Sequence, residues 1–347
     1  MSRKSSYILP LHREPTFNSD SQGSRVGLLN QGKSNGRWKN DLLAGLAEFV
    51  GTFMFLFFSF GGTQLANSSS DAVNVDNSVA PLANTSVLLY IALSFGFSLM
   101  VNVWVFYRIS GGLFNPSVTL GLFLVGAVPW TRAIIFFVAQ MLGGMAAAGV
   151  VSAMFPGPLD VSTVLSAGMS KAQGLFLEMF LTTLLVFTIF MLAVEKHKAT
   201  HIAPIGIGLA FFLAELVGLF YTGGSLNPAR SFGPCVVTHS FPGYHYIYWI
   251  GPFMGTLLAT GFYKLFQVMN YQTINPGQDF DDHETALFQM AEGPVSVEQV
   301  ARPNVAAMAG NEIMQELGKF QVSEKCPSNG AGIGSSPLGQ HIDTAAP

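Results

Sequence analysis

Apolar and polar positions along this chain fall into long blocks. Six apolar blocks, 42–63, 86–107, 131–154, 174–194, 203–221 and 246–269, each predict a helix. About 20 residues at about 1.5 Å each suffice to cross a ~30 Å hydrocarbon layer, so all six are long enough to span a membrane. Two further blocks, 116–127 and 228–239, are apolar but too short to cross. Each starts at a proline, the favoured first residue of a helix, directly after Asn115 or Asn227. They read as half-helices, and their surroundings echo one another: GGLFNPSVTLGL at 111–122 and GGSLNPARSFGP at 223–234.

A second echo lies upstream, LAEFVGT at 46–52 and FLEMFLT at 176–182. Repeats over 41–155 and 173–270, each with three spans and one half-helix, must then face opposite ways. Inverted repeats with broken helices are a signature of transporters and channels. The expected architecture is an all-α membrane protein with six transmembrane helices and two re-entrant half-helices. Residues 1–40 and 271–347 are polar and poor in aromatics, and are expected to be mostly disordered.

Charge sharpens this picture. Half of the residues are hydrophobic and 11% are charged, against roughly a quarter charged in soluble domains. Residues 1–40 hold seven of the seventeen Lys and Arg, and 271–347 hold ten of the twenty Asp and Glu. Basic residues flank one side of the spans: the amino tail, Arg108, Arg132, Lys196, Lys198 and Lys264. The opposite segments, 64–85, 155–173 and 222–245, carry only Lys171 and Arg230. By the bias of positive residues to the cytoplasm, both termini are cytoplasmic and the half-helices enter from opposite faces. The first span is expected to act as an uncleaved signal anchor. Loop 64–85 carries two glycosylation sequons, at Asn67 and Asn84, on the exoplasmic side.

Several classes fall away. No Lys/Arg stripe interleaves with aromatics, so nucleic acid is not an expected partner. Cys235 and Cys326 suggest neither a disulfide framework nor a metal site, and no cofactor motif is present. The histidines lie mainly in loops or tails, and no nucleophile–base pair emerges, so an enzyme is not expected. A coupled transporter remains open on architecture, yet the central pair here is neutral Asn rather than an ionisable relay.

If the half-helices meet tip to tip, their positive ends converge at mid-membrane with two Asn amides beside them. Such a site offers hydrogen-bond donors and a positive potential. It suits a small neutral molecule with lone pairs and repels cations and protons. Glu48 and Glu178 occupy equivalent points of the two repeats. Intramembrane acids are functional candidates, but here the reading is that each accepts hydrogen bonds from the backbone of a re-entrant loop.

These stretches, with AVEKHKAT at 193–200, YIYWIGPFMG at 246–255 and NYQTINPG at 270–277, resemble the aquaporin (major intrinsic protein) family. The orthodox fungal water channels are the branch most resembled, over roughly 41–276. The resemblance implies a water channel, assembled as a homotetramer and placed at the plasma membrane. It makes Asn115, Pro116 and Ser117, with Asn227, Pro228 and Ala229, the two central motifs; the first reads Asn-Pro-Ser instead of the commoner Asn-Pro-Ala. It makes Phe95, Glu215, Gly224 and Arg230 the outer selectivity filter. Glu215 stands where many water channels carry histidine, which raises hydrogen peroxide as a second permeant; alternatively, Glu215 is solvated in the outer vestibule. Ser231 and Tyr248-Trp249 resemble the water-selective branch rather than glycerol facilitators, and glycerol is the alternative substrate. Ser110, after Arg108, resembles a phosphorylation site that gates the inner mouth. Tyr7, Phe17 or Trp38 of the amino tail is the candidate plug for that mouth.

Overall fold

The computed structural model describes residues 26–73, 84–195, 199–271 and 274–275, with side chains for all of these except 26–37 and 70–73. All of them belong to one compact unit. Tyr7, Phe17 and both polar tails lie outside the described residues, apart from 26–40 and the first residues after 270.

Eight α-helices carry the described fold: α1 (Val26–Val73), α2 (Thr85–Phe106), α3 (Pro116–Leu124), α4 (Trp130–Met154), α5 (Lys171–Ile189), α6 (Ala203–Thr222), α7 (Pro228–Val237) and α8 (Ile247–Val268). A π-helical turn, Phe190–Val194, extends α5, and a short 3₁₀ turn, Thr200–Ile202, precedes α6. Five stretches are long and apolar enough to cross a membrane: Trp38–Ser69, Thr85–Phe106, Trp130–Met154, Lys171–Val194 and Thr200–Thr222. The sixth expected span forms α8, whose 22 residues reach about 33 Å. It is less apolar, and its polar groups turn inward. The Tyr248 hydroxyl donates to Thr222 O at 2.8 Å, Thr256 donates to Ser117 O at 3.0 Å, and Tyr263 donates to Glu195.

The two repeats are visible in the packing. α1 packs on α4 and α2, as α5 packs on α8 and α6; α7 rests on α4, as α3 rests on α8. The self-paired contacts are α2 with α6 and α3 with α7. Exchanging α1–α4 with α5–α8 reproduces this whole set, which is the topology of an inverted repeat. Outward faces stay apolar, with Leu46, Phe97, Trp104, Val138, Leu213 and Leu257 all exposed. A helix apolar on every side fits lipid on one face and protein on the other.

Small residues set how closely the half-helices approach. A Cβ on Gly144 of α4 would come within 2.6 Å of Ala229 O on α7. In lipid, where no hydrophobic drive joins helices, such close backbone approach supplies the packing energy.

Candidate functional site

Each half-helix begins with the same local grammar. Asn115 and Asn227 are N-caps in extended conformation, φ −151° and −148°, followed by proline. Their side-chain oxygens accept from the N–H groups of Ser117 (2.8 Å) and Ala229 (3.0 Å). This is ordinary capping chemistry: Asn satisfies a helix-start donor, and proline has no N–H to satisfy.

The chain reaches both caps through strained backbone. Phe114 and Leu226, the residues before each Asn, both have φ 51° without being glycine. Such values are uncommon for bulky residues and cluster at functional sites. Two buried carboxylates hold them. Glu48 accepts from Leu113 N at 3.0 Å and Phe114 N at 2.8 Å, and Gln140 Nε2 donates to it at 2.9 Å. Glu178 accepts from Ser225 N at 3.0 Å, Leu226 N at 2.8 Å and the Thr222 hydroxyl at 2.7 Å. The re-entrant backbone thus finds inside the protein the partners that lipid cannot offer.

The tips meet. Asn115 Nδ2 donates to Leu226 O at 2.8 Å, and Asn227 Nδ2 donates to Phe114 O at 2.9 Å. Each strained carbonyl therefore receives the Asn of the other repeat. Each amide nitrogen has two N–H groups, so one remains beyond this reciprocal bond. A cavity extends from both Asn residues along Leu99, Val118 and Ile207 to Tyr107 and Gly111. Ser117 lies fully buried beside the junction.

On the other side of the Asn pair, Arg230 of α7 is folded inward. Its guanidinium carbon lies 4.9 Å from the Phe95 ring centre and 5.5 Å from that of Phe60. Nη1 donates to Val161 O at 2.6 Å, Nε to Gly224 O at 3.2 Å and Nη2 to Gly223 O at 3.3 Å. Gly223 and Gly224 both have positive φ, 82° and 56°, in the loop that supplies two of these carbonyls. A hydroxyl chain braces the start of α7: Thr163 donates to Ser231 at 2.9 Å, and Ser231 lies 2.6 Å from Ser225.

Glu215 is not solvated in a vestibule. It is fully buried on α6, with its carboxyl packed against Gly224. Phe95, Glu215, Gly224 and Arg230 thus come together, as do the two Asn motifs. Phe60 and Val161 join the Arg230 environment without any mark in the sequence: Phe60 is one of thirty phenylalanines, and Val161 contributes only its carbonyl.

Other candidate sites need correction. Ser110 is fully buried, and its hydroxyl accepts from Gly112 N at 3.2 Å beside Glu48, so no kinase reaches it without opening the loop. Asn67 lies inside α1, and its Nδ2, the atom a glycan would need, donates to Asp160 O at 2.8 Å. The 64–85 segment is therefore not a simple loop, because α1 runs on to Val73. Asn84 differs: it is exposed, and it caps α2 through its oxygen, bonded to Ser86 N at 3.1 Å and Val87 N at 3.4 Å. Trp38 is part of α1 with its side chain exposed.

Comparison with known proteins agrees with this geometry. The pattern described as Major intrinsic protein matches residues 36–263. Aquaporin-5 of Botryotinia fuckeliana is 61% identical over 247 residues, covering 71% of this chain and 46% of that protein. Probable aquaporin-5 of Gibberella zeae is 57% identical over 251 residues, covering 72% and 46%. The chain thus spans about half the length of these curated relatives. The X-ray structure of the aquaglyceroporin from Plasmodium falciparum superimposes with a TM-score of 0.54 over 64% of this chain and 95% of that one, at 20% identity, a likeness of fold. With apolar spans, two docked half-helices and these relatives, this multi-pass membrane protein belongs to the major intrinsic protein family.

Proposed function

We propose that the protein is a passive channel that conducts water in single file and excludes protons and ions. The observation that carries this reading is the reciprocal bonding of Asn115 and Asn227 at the tips of two half-helices. Each helix start carries roughly half a positive charge. Two of them facing the same point make that point hostile to cations. A water molecule there accepts N–H bonds from both amides. Its own hydrogens are forced outward along the file, and it cannot pass a proton through its lone pairs. Arg230, buried beside Phe95, adds a fixed positive charge to the outer constriction.

Water is favoured over glycerol by Ser231 after the second Asn-Pro-Ala-Arg and by Tyr248-Trp249 in α8, features similar to the water-selective branch. Glycerol is the second reading, supported by Gly224 and by the absence of histidine at position 215. Hydrogen peroxide, close to water in cross-section, is the further permeant. A homotetramer at the plasma membrane, with both termini cytoplasmic and one channel domain over 41–270, completes the proposal. Osmotic swelling of liposomes containing the purified protein, with water, peroxide and glycerol compared side by side, tests it. Water flux well above empty liposomes with no proton leak supports the reading. Glycerol flux that equals or exceeds water flux overturns it in favour of a glycerol facilitator.

A further inference from the structure

The two half-helices are docked by different chemistry at equivalent points of the repeats. A Cβ on Gly143 of α4 would meet Phe49 O, Thr52 Cβ and Phe53 N of α1. One on Gly255 of α8 would meet Met179 O, Thr182 Cβ and Thr183 N of α5. Those partners stand one, four and five residues after Glu48 and after Glu178, so Gly143 and Gly255 are equivalent positions. The residues that follow them, Gly144 and Thr256, are equivalent too. So are Ser117 and Ala229, each two residues after its Asn. In the second repeat's motif, Gly144 lets the backbone of α4 close directly on Ala229 O. In the first, the Thr256 hydroxyl donates to Ser117 O at 3.0 Å.

Thr256 is fully buried, and its two branches have separate partners. Cγ2 faces Gly121, one turn further along α3, where a Cβ would lie 3.2 Å from it. Oγ1 lies 3.1 Å from Pro252 O, the bond that a helical threonine makes within its own helix. Its contact with Ser117 O is the one that crosses to α3. Ser117 contributes its backbone, since its own hydroxyl is buried with no hydrogen-bond partner among the described residues. The Ser117 N–H donates to Asn115 Oδ1 at 2.8 Å, and Asn115 Nδ2 donates to Leu226 O at 2.8 Å. A single residue therefore links Thr256 to the Asn amide at the junction.

We propose that Thr256 is a positioning residue, whose hydroxyl holds the first half-helix and, through Ser117, sets the Asn115 amide. The inference rests on the passive-channel reading above. Gly144 offers no donor at the equivalent place, so excluded volume fixes α7 on α4, and only a larger side chain disturbs it. A hydrogen bond is a softer fastening. Its loss leaves Ser117 O without that donor and frees α3 to shift, together with the amide that a permeating water meets.

Thr256→Val keeps the methyl and the volume and loses the donor, whereas Thr256→Ser keeps the donor and loses the methyl. In liposomes containing the full chain, Thr256→Val is expected to lower water flux per reconstituted protein about fivefold, the effect of roughly one net hydrogen bond. Its Arrhenius plot should also be steeper than that of the wild type. Fewer working channels would lower flux and leave that slope unchanged, so the slope separates positioning from loss of folded protein. Thr256→Ser should restore the slope. Thr260→Val, which removes a bond to Thr256 O within α8, should leave it unchanged. A wild-type slope in Thr256→Val, or an equal defect in Thr256→Ser, overturns the inference. Amide hydrogen exchange in detergent is the second readout: Thr256→Val should speed exchange over residues 116–124 and leave 228–237 at the wild-type rate. Unchanged exchange over 116–124 overturns the inference even where the variant reconstitutes too poorly for flux. Wild-type protein that conducts no water above empty liposomes overturns the channel reading, and the exchange comparison then decides whether Thr256 holds α3.

Discussion

Phe114 and Leu226 show how single residues set the site. A non-glycine residue at positive φ costs of order 1–3 kcal/mol and persists only where its surroundings over-determine it. Here Glu48 and Glu178 do so by bonding the amides at and before each strained residue. A buried donor left without its acceptor costs about 1–3 kcal/mol. Glu48→Gln and Glu178→Gln should therefore lower the thermal unfolding temperature in detergent by several degrees. The surviving protein should keep its glycerol-to-water ratio. A changed ratio at unchanged stability would contradict this division of roles. Asn227→Asp acts differently, because it sets a carboxylate against Phe114 O where an N–H had donated at 2.9 Å. Water flux should fall at least tenfold, about the effect of losing 1.4 kcal/mol, and proton leak, followed with an internal pH dye, should rise.

At the scale of elements, α3 and α7 are too short to be stable alone, since isolated helices below about 12–15 residues are marginal in water. Docking on α4 and α8 supplies what length does not. Gly144 sits at a close point of this docking, and overpacking a close contact costs about 1–3 kcal/mol. Gly144→Val should push Ala229 and the adjoining Asn227 out of line and remove most water flux. Gly261→Ala on α8 is the control: nothing lies within 4 Å of its added Cβ, so flux and stability should hold. Equal losses in both variants would show general helix damage instead of a specific contact. The overrun of α1 belongs to this scale as well. Apolar content ends near residue 63, but the helix continues, and Asn67 and Gln64 tie it to the loop after α4.

The whole molecule has two ends that differ chemically. The sequence expectation puts the positive residues at the cytoplasmic end, and Asn84 caps the start of α2, expected at the other. A glycan attaches at the side-chain nitrogen, and Asn84 uses its oxygen for capping, so both are compatible. In a glycosylating host, endoglycosidase should increase the mobility of the wild-type protein and of Asn67→Gln, but not of Asn84→Gln. A shift that depends on Asn67 would mean that the end of α1 opens in the cell. The all-helical membrane fold was legible at this scale, because lipid demands long apolar runs and leaves few architectures. The half-helices were equally plain, since Asn-Pro after Gly-Gly is a local signal twice written. α8 was less marked, because its polar groups are satisfied by distant partners.

What the sequence determined alone is what depends on near neighbours and on the solvent: the spans, the two Asn-Pro starts, the inverted repeat and the pair Glu48 and Glu178. Each follows from spacing along one chain or from the need to bury backbone away from lipid. What the tertiary structure decided depends on residues remote in sequence. The carbonyl of Val161 on Arg230, the ring of Phe60, the burial of Ser110 and the bond from Asn67 to Asp160 all arise where separate segments meet. The same holds for Glu215, whose carboxyl fits only because Gly224, on the loop after its own helix, has no side chain. Hydrogen bonding and excluded volume act over a few ångströms in space, whatever the distance along the chain.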